Sequence, residues 1–180
     1  DTKELILNVI NKIEEDEDTK IEQEVKLETT APVQKAEANF SAQSIIDSVV
    51  REDAKNNSEL SEKQKDAIKN GADVNVKLVV DKSTATIEET DKIEKAIKNN
   101  NSDAQVGSLL DISLLCTVTQ NNSIVEQPSK ITNTSEPVTV TVTIPDTLVN
   151  VDSTVTRDYD VARLHDGKVD LLGATYDAAN

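Results

Sequence analysis

The chain has 180 residues, 36% of them hydrophobic, enough for one sizeable domain, or a domain with a small appendage, that buries roughly 70% of its extended surface. Nineteen basic residues against 34 acidic ones give a net charge of −15, a field that repels nucleic acid and anionic membranes and excludes both as expected partners. One cysteine and one histidine exclude an intramolecular disulfide, and a zinc site unless carboxylates supply its other ligands.

The first expected element is an amphipathic helix, with Leu5, Ile6, Val9, Ile10 and Ile13 on one stripe. It should end at the acidic cluster 14–18, because carboxylates oppose the dipole at a helix C-terminus. Ile21, Val25 and Leu27 suggest a short strand closed by Pro32. A second helix is expected from Ser41, a good N-cap, with Ile45, Ile46, Val49 and Val50 on one face. The polar stretch EDAKNNSE then reads as a loop. Ser61 and Gln64 form a capping box with Leu60 just outside it, and Gly71 stops a short third helix.

Val74, Val76, Leu78 and Val80 alternate as a strand. Thr86 and Glu89 make another capping box, opening a helix through Ile93 and Ile97. That helix should end at Asn99-Asn100-Asn101, residues that tolerate the left-handed conformation. From about Ala104 the pattern turns to β. Ile112, Leu114, Cys116 and Val118 alternate, with a turn at Asn121-Asn122. Cys116 therefore reads as a buried, inert thiol. The run VTVTVTI places Val138, Val140, Val142 and Ile144 on a buried face, and Pro145 ends it. Residues 159–164 and 169–172 are then two strands around His165-Asp166-Gly167-Lys168.

That last segment holds the only histidine, so it is the place to test for catalysis. Asp-Gly between two alternating runs is a strong hairpin signal, because a type I′ turn needs positive φ at both central residues. His165 and Lys168 then face each other beside the turn, exposed at the tip, with His165 and Asp166 aimed apart. A catalytic imidazole needs a tuning partner and a dry cleft, so His165, Asp166 and Gly167 are assigned a structural role. Arg163, on the same strand face as Tyr159 and Val161, is expected to be partly buried and to form an ion pair that ties the hairpin to the sheet. With four glycines there is no phosphate-cradling loop, and no nucleophile elbow or histidine-rich metal motif occurs. No cofactor is expected. Asp81-Lys82-Ser83 and residues 99–103 carry oxygen ligands of the kind used for weak calcium binding, neither with EF-hand spacing.

Four segments carry a resemblance: TIEETDKIEKAIKNN from Thr86, LLDISLLCTV from Leu109, VTVTVTIPDTLVN from Val138, and STVTRDYDVARLHDGKVDLL from Ser153. In order and spacing, residues 72–176 resemble β-rich modules of secreted, cell-surface and cell-wall-attached proteins of Gram-positive gut bacteria. Leu164 departs mildly, taking a slot that is usually β-branched. The resemblance implies a non-catalytic stalk or spacer unit and gives no catalytic residues. Similar proteins continue past the hairpin with further strands, whereas this chain stops at Asn180. A trimmed product is expected, in preference to a sheet completed by a strand from another chain; the lack of methionine points the same way.

The expected fold is therefore α+β and strand-dominated: an Ig-like β-sandwich over residues 72–180 with short decorating helices. Residues 1–71 form a helix and strand segment that packs on it or is linked to it. The expected function is an extracellular structural or adhesive module, a spacer or fibre subunit, partnered by other domains or copies of the same surface protein. A ligand-binding module for carbohydrate or host protein is the alternative, weakened by a chain with only Phe40, Tyr159 and Tyr176 as aromatics. An enzyme is not expected.

Overall fold

A computed structural model describes residues 19–50, 59–152 and 154–176; the first expected helix, and the polar loop after the second up to residue 58, lie outside them. Among the described residues the elements run β1 (Ile21–Leu27), β2 (Ala36–Asn39), α1 (Ala42–Val50), α2 (Glu62–Lys69), β3 (Asp73–Lys82), α3 (Ile87–Asn100) and β4 (Leu110–Gln120). They continue with β5 (Ser123–Ile124), β6 (Ser129–Ile131), β7 (Thr139–Val142), β8 (Val161–His165) and β9 (Lys168–Leu172). The fold is strand-rich, with one mixed sheet and two two-stranded ribbons, β2–β7 and β8–β9.

The main sheet has the order β1-β3-β4-β5, with β6 also paired to β4. Val74 N–H bonds Lys20 C=O at 2.8 Å and Glu28 N–H bonds Val80 C=O at 2.9 Å. These bonds advance together along both strands, so β1 and β3 are parallel. Parallel neighbours need a long crossover, supplied here by β2, α1, α2 and their connections. By contrast, β4 and β5 form a tight hairpin in the register Gln120↔Ser123. Its turn residues, Asn121 and Asn122, have φ of 52° and 59°, as a type I′ turn requires.

The chain divides into two compact units, neither of them a continuous stretch. The first takes residues 19–26, 38–50, 59–79 and 112–140 of those described. Its buried residues come from α1 (Ile45, Ile46, Val49), α2 (Ala67, Ile68), β3 (Val74, Val76, Leu78), β4 (Leu114, Cys116, Val118) and β6 (Ile131). Ser61 Oγ accepts the Gln64 N–H, Gln64 returns the bond to the Ser61 N–H, and Gly71 closes the helix with φ 81°. Ser41 caps α1 by accepting the Ser44 N–H at 3.1 Å. Within the same unit, Glu59 Oε1 accepts from the backbone N–H groups of Thr132 and Asn133 at 2.8 and 3.1 Å.

The second unit takes residues 27–37, 80–111, 141–152 and 154–176. Here α3 opens on the Thr86–Glu89 capping box as expected. Its end differs: Asn101 is extended, with φ −144°, and no residue of 99–101 is left-handed. An Asx turn replaces the left-handed cap, with Asn101 Oδ1 accepting the Asp103 N–H at 3.0 Å. The α3 helix lies against the β8–β9 hairpin.

The VTVTVTI run keeps its period but not its burial or its length. Val138, Val140, Val142 and Ile144 are half-buried, and the strand stops at Val142. At the next residue the Thr143 hydroxyl accepts the backbone N–H groups of both Gln34 and Lys35, at 2.9 and 3.0 Å. A side chain has taken donors that the ladder needed.

Candidate functional site

The β8–β9 hairpin presents most of the residues that the sequence singled out. Asp166 and Gly167 have φ of 48° and 74°, and the pairing runs outward from His165↔Lys168 through Arg163↔Asp170 to Val161↔Leu172. These three pairs share one face of the ribbon, since side chains alternate along a strand. His165 is half-exposed. Its Nε2 lies 3.5 Å from Asp166 Oδ2, so the two side chains come together rather than pointing apart. That distance is long for a hydrogen bond.

Arg163 departs from expectation twice. Its side chain is 55% exposed, and its carboxylate partner is Asp170 on the neighbouring strand, at 3.1 Å. The ion pair therefore joins the hairpin to itself and not to the sheet. The register explains this: with the turn at 166–167, counting outward puts residue 163 opposite 170. The turn residues alone therefore specify Asp170 as the partner. Lys168 Nζ reaches the other oxygen of Asp170 at 3.0 Å, so one carboxylate is bracketed by two cations.

Hydrogen bonds from Lys168 and then Arg163 hold the Asp170 carboxyl below its ordinary value of 3.8. A group whose pKa is lower in the folded state stabilises that state above its unfolded pKa and loses the effect as pH falls through the folded value. The clamp is thus expected to persist through the whole range above 3.8 and to open only below it. Amide shifts of the hairpin, followed by NMR from neutral pH into acid, should stay flat and then move. Asp170→Asn should remove that acid-side transition while leaving the neutral-pH turn in place.

Tyr159 lies outside β8, which begins at Val161, although the alternation extended the strand to it. The reason is a side-chain anchor. Tyr159 Oη donates to the Leu148 carbonyl at 2.7 Å, and Arg157 donates to the same oxygen at 3.0 Å. The Tyr159 ring also meets Tyr176, with centroids 5.0 Å apart and planes tilted by 48°. A cleft of about 400 Å³ is lined there by Arg157, Asp158, Tyr159, Asp160, Ala174 and Tyr176. Nothing local in the sequence announces that the two tyrosines meet.

The other candidates are plain. Cys116 is fully buried in β4, and burial pushes its thiol up to about 12, so it stays protonated and is a poor nucleophile. Asp81, one of the oxygen-bearing residues considered for calcium, accepts from the Lys82 N–H at 2.6 Å and from the Thr30 hydroxyl. Among the described residues no three His, Cys, Asp or Glu side chains gather as a metal site, and no helix is long and apolar enough to cross a membrane. A second cleft, of about 450 Å³, lies between residues 70–73 and 119–122 and is lined mainly by Asn, Gln, Asp and Thr. No family model matches the chain, and no curated protein and no solved structure matches it.

Proposed function

We propose that this chain is a non-enzymatic structural or adhesive module, a spacer or fibre subunit of a bacterial surface protein, that joins other domains or copies of itself by strand pairing. The observation carrying this reading is the β8–β9 ribbon, whose strands, among the described residues, are paired only with each other. In an antiparallel hairpin the residue pair beside a two-residue turn is hydrogen-bonded, and the pairs alternate from there. His165↔Lys168, Arg163↔Asp170 and Val161↔Leu172 spend their backbone groups inward. Ala162 and Leu164 on one edge, and Val169 and Leu171 on the other, aim theirs outward, which is the template for an added strand.

Two further features support the reading. The one imidazole sits half-exposed at a turn and the one thiol is buried and protonated, so neither is poised as a nucleophile or base. The resemblance of residues 72–176 to β-rich surface modules agrees with an extracellular, cell-surface or cell-wall location and with an Ig-like sandwich as the finer architecture.

Leu171→Pro tests it, because proline removes an outward donor without removing a hairpin bond. Sedimentation of the full chain across a concentration series is expected to show self-association, with elongated assemblies in electron micrographs. The proline variant should remain monomeric. A parent chain that stays monomeric throughout, or a variant that associates equally well, would sink the proposal.

A further inference from the structure

The chain has three aromatic residues, Phe40, Tyr159 and Tyr176. Phe40 is buried. Both remaining rings stand at one cleft, which a chain so poor in aromatics has no packing need to arrange on its surface. Tyr176 is 49% exposed, while Tyr159 is held by its bond to Leu148 and by the Tyr176 ring. The result is a fixed ring carrying a second, accessible one.

Around them lie Asp158 and Asp160, both exposed, and Arg157, tied by one N–H to the Leu148 carbonyl. Carboxylates offer acceptors only, and a guanidinium offers five N–H donors, of which one is used here. An apolar ring face flanked by acceptors and donors matches a sugar ring, which shows C–H groups on its face and hydroxyls around its rim. The volume of about 400 Å³ falls at the small end of ligand pockets, roughly 300–1,000 Å³, and suits a terminal residue or two rather than a long chain.

Charge narrows the class. Two carboxylates at the cleft and a net charge of −15 repel sialylated, uronic and sulfated sugars. We propose that the Tyr159–Tyr176 cleft binds the non-reducing end of a neutral glycan.

This site is independent of the strand-pairing reading, since all six of its lining residues lie outside β8 and β9. The test uses the full chain on an array of glycans ending in glucose, galactose, mannose or N-acetylglucosamine, with sialylated and sulfated glycans as controls. Retained sugars are then titrated in solution, followed by tyrosine emission, which comes from two residues in a chain without tryptophan. Neutral termini should be retained and anionic ones not. Tyr176→Ala should weaken binding about tenfold, the scale of one lost ring contact. Asp160→Asn, at an exposed position where folding is not at stake, should weaken it as well. No retention of any neutral glycan, a preference for the anionic controls, or binding that survives both substitutions overturns the proposal. Leu171→Pro should leave glycan binding unchanged, so failure of strand pairing and failure of this site are read separately.

Discussion

Gln64→Leu is expected to destabilise the protein by about 3 kcal/mol, although leucine is the more apolar residue and an equally good helix former. Gln64 is 1% exposed. Its Oε1 accepts the Ser61 N–H at 2.9 Å and the Ser129 hydroxyl at 2.8 Å, and its Nε2 donates to the Gln127 carbonyl at 3.3 Å. One side chain thus completes the cap of α2 and also ties that helix to the segment entering β6. Leucine would break all three bonds, two of them at the half-buried Ser61 and Ser129, at about 1–3 kcal/mol for each group that finds no substitute. Urea denaturation should show a lower midpoint with an unchanged slope. Ser61→Ala supplies the comparison, because it removes the helix cap, at about 1 kcal/mol, and the hydroxyl's exposed bond to Glu126, but leaves the bonds from Gln64 to Ser129 and Gln127 in place. If the two variants prove equally stable, the connection to Ser129 and Gln127 contributes nothing.

Leu78→Ala should cost a similar amount, about 3 kcal/mol. Leu78 is 1% exposed on β3, between Val76 and Val80 at 0% on the same face, and Cys116 and Val118 of the same sheet are also at 0%. Short branched side chains pack this core, and a void left among them has few long or flexible neighbours to fill it. Part of the cost is therefore the cavity itself and part the lost transfer energy. Ile87→Ala is the control. Ile87 is 84% exposed, and its truncation should change stability by no more than about 0.5 kcal/mol. An Ile87 effect as large as that of Leu78 would mean that exposure in the isolated chain misrepresents what Ile87 touches.

Local chemistry made several elements legible in the sequence. The capping boxes at Ser61–Gln64 and Thr86–Glu89, the alternation from Val74 to Val80, and the turns at Asn121-Asn122 and Asp166-Gly167 each depend on residues within a few positions of one another. What stayed hidden depends on distant ones. The parallel pairing of β1 with β3 follows from a crossover of dozens of residues, and alternation within a strand does not name its neighbour. Gln64 read as half of a capping box, and its bond to Ser129 lies 65 positions away. Thr143 read as one more β-branched residue in a strand, but its hydroxyl terminates that strand through Gln34 and Lys35.

The candidate sites divide in the same way. The hairpin at 161–172 is readable because its turn fixes its own register, which also sets Arg163 opposite Asp170. The tyrosine cleft was not readable, since the Leu148 carbonyl that anchors Arg157 and Tyr159 is nine and eleven residues away from them. No period links Tyr159 to Tyr176.

The parallel placement of β1 also has a consequence for synthesis. Its neighbour starts to appear only when Val74 has been made, more than fifty residues after Lys20. At ordinary translation speeds β1 waits on the order of 3–10 s without a mate, exposing Ile21, Val25 and Leu27 to whatever is nearby. Glu22, Glu24 and Lys26 interrupt that apolar series at every turn of the pleat, and such interspersed charges are gatekeepers against sticking to other nascent chains. Charges spaced along β1 thus guard an early strand through the interval before its partner is translated.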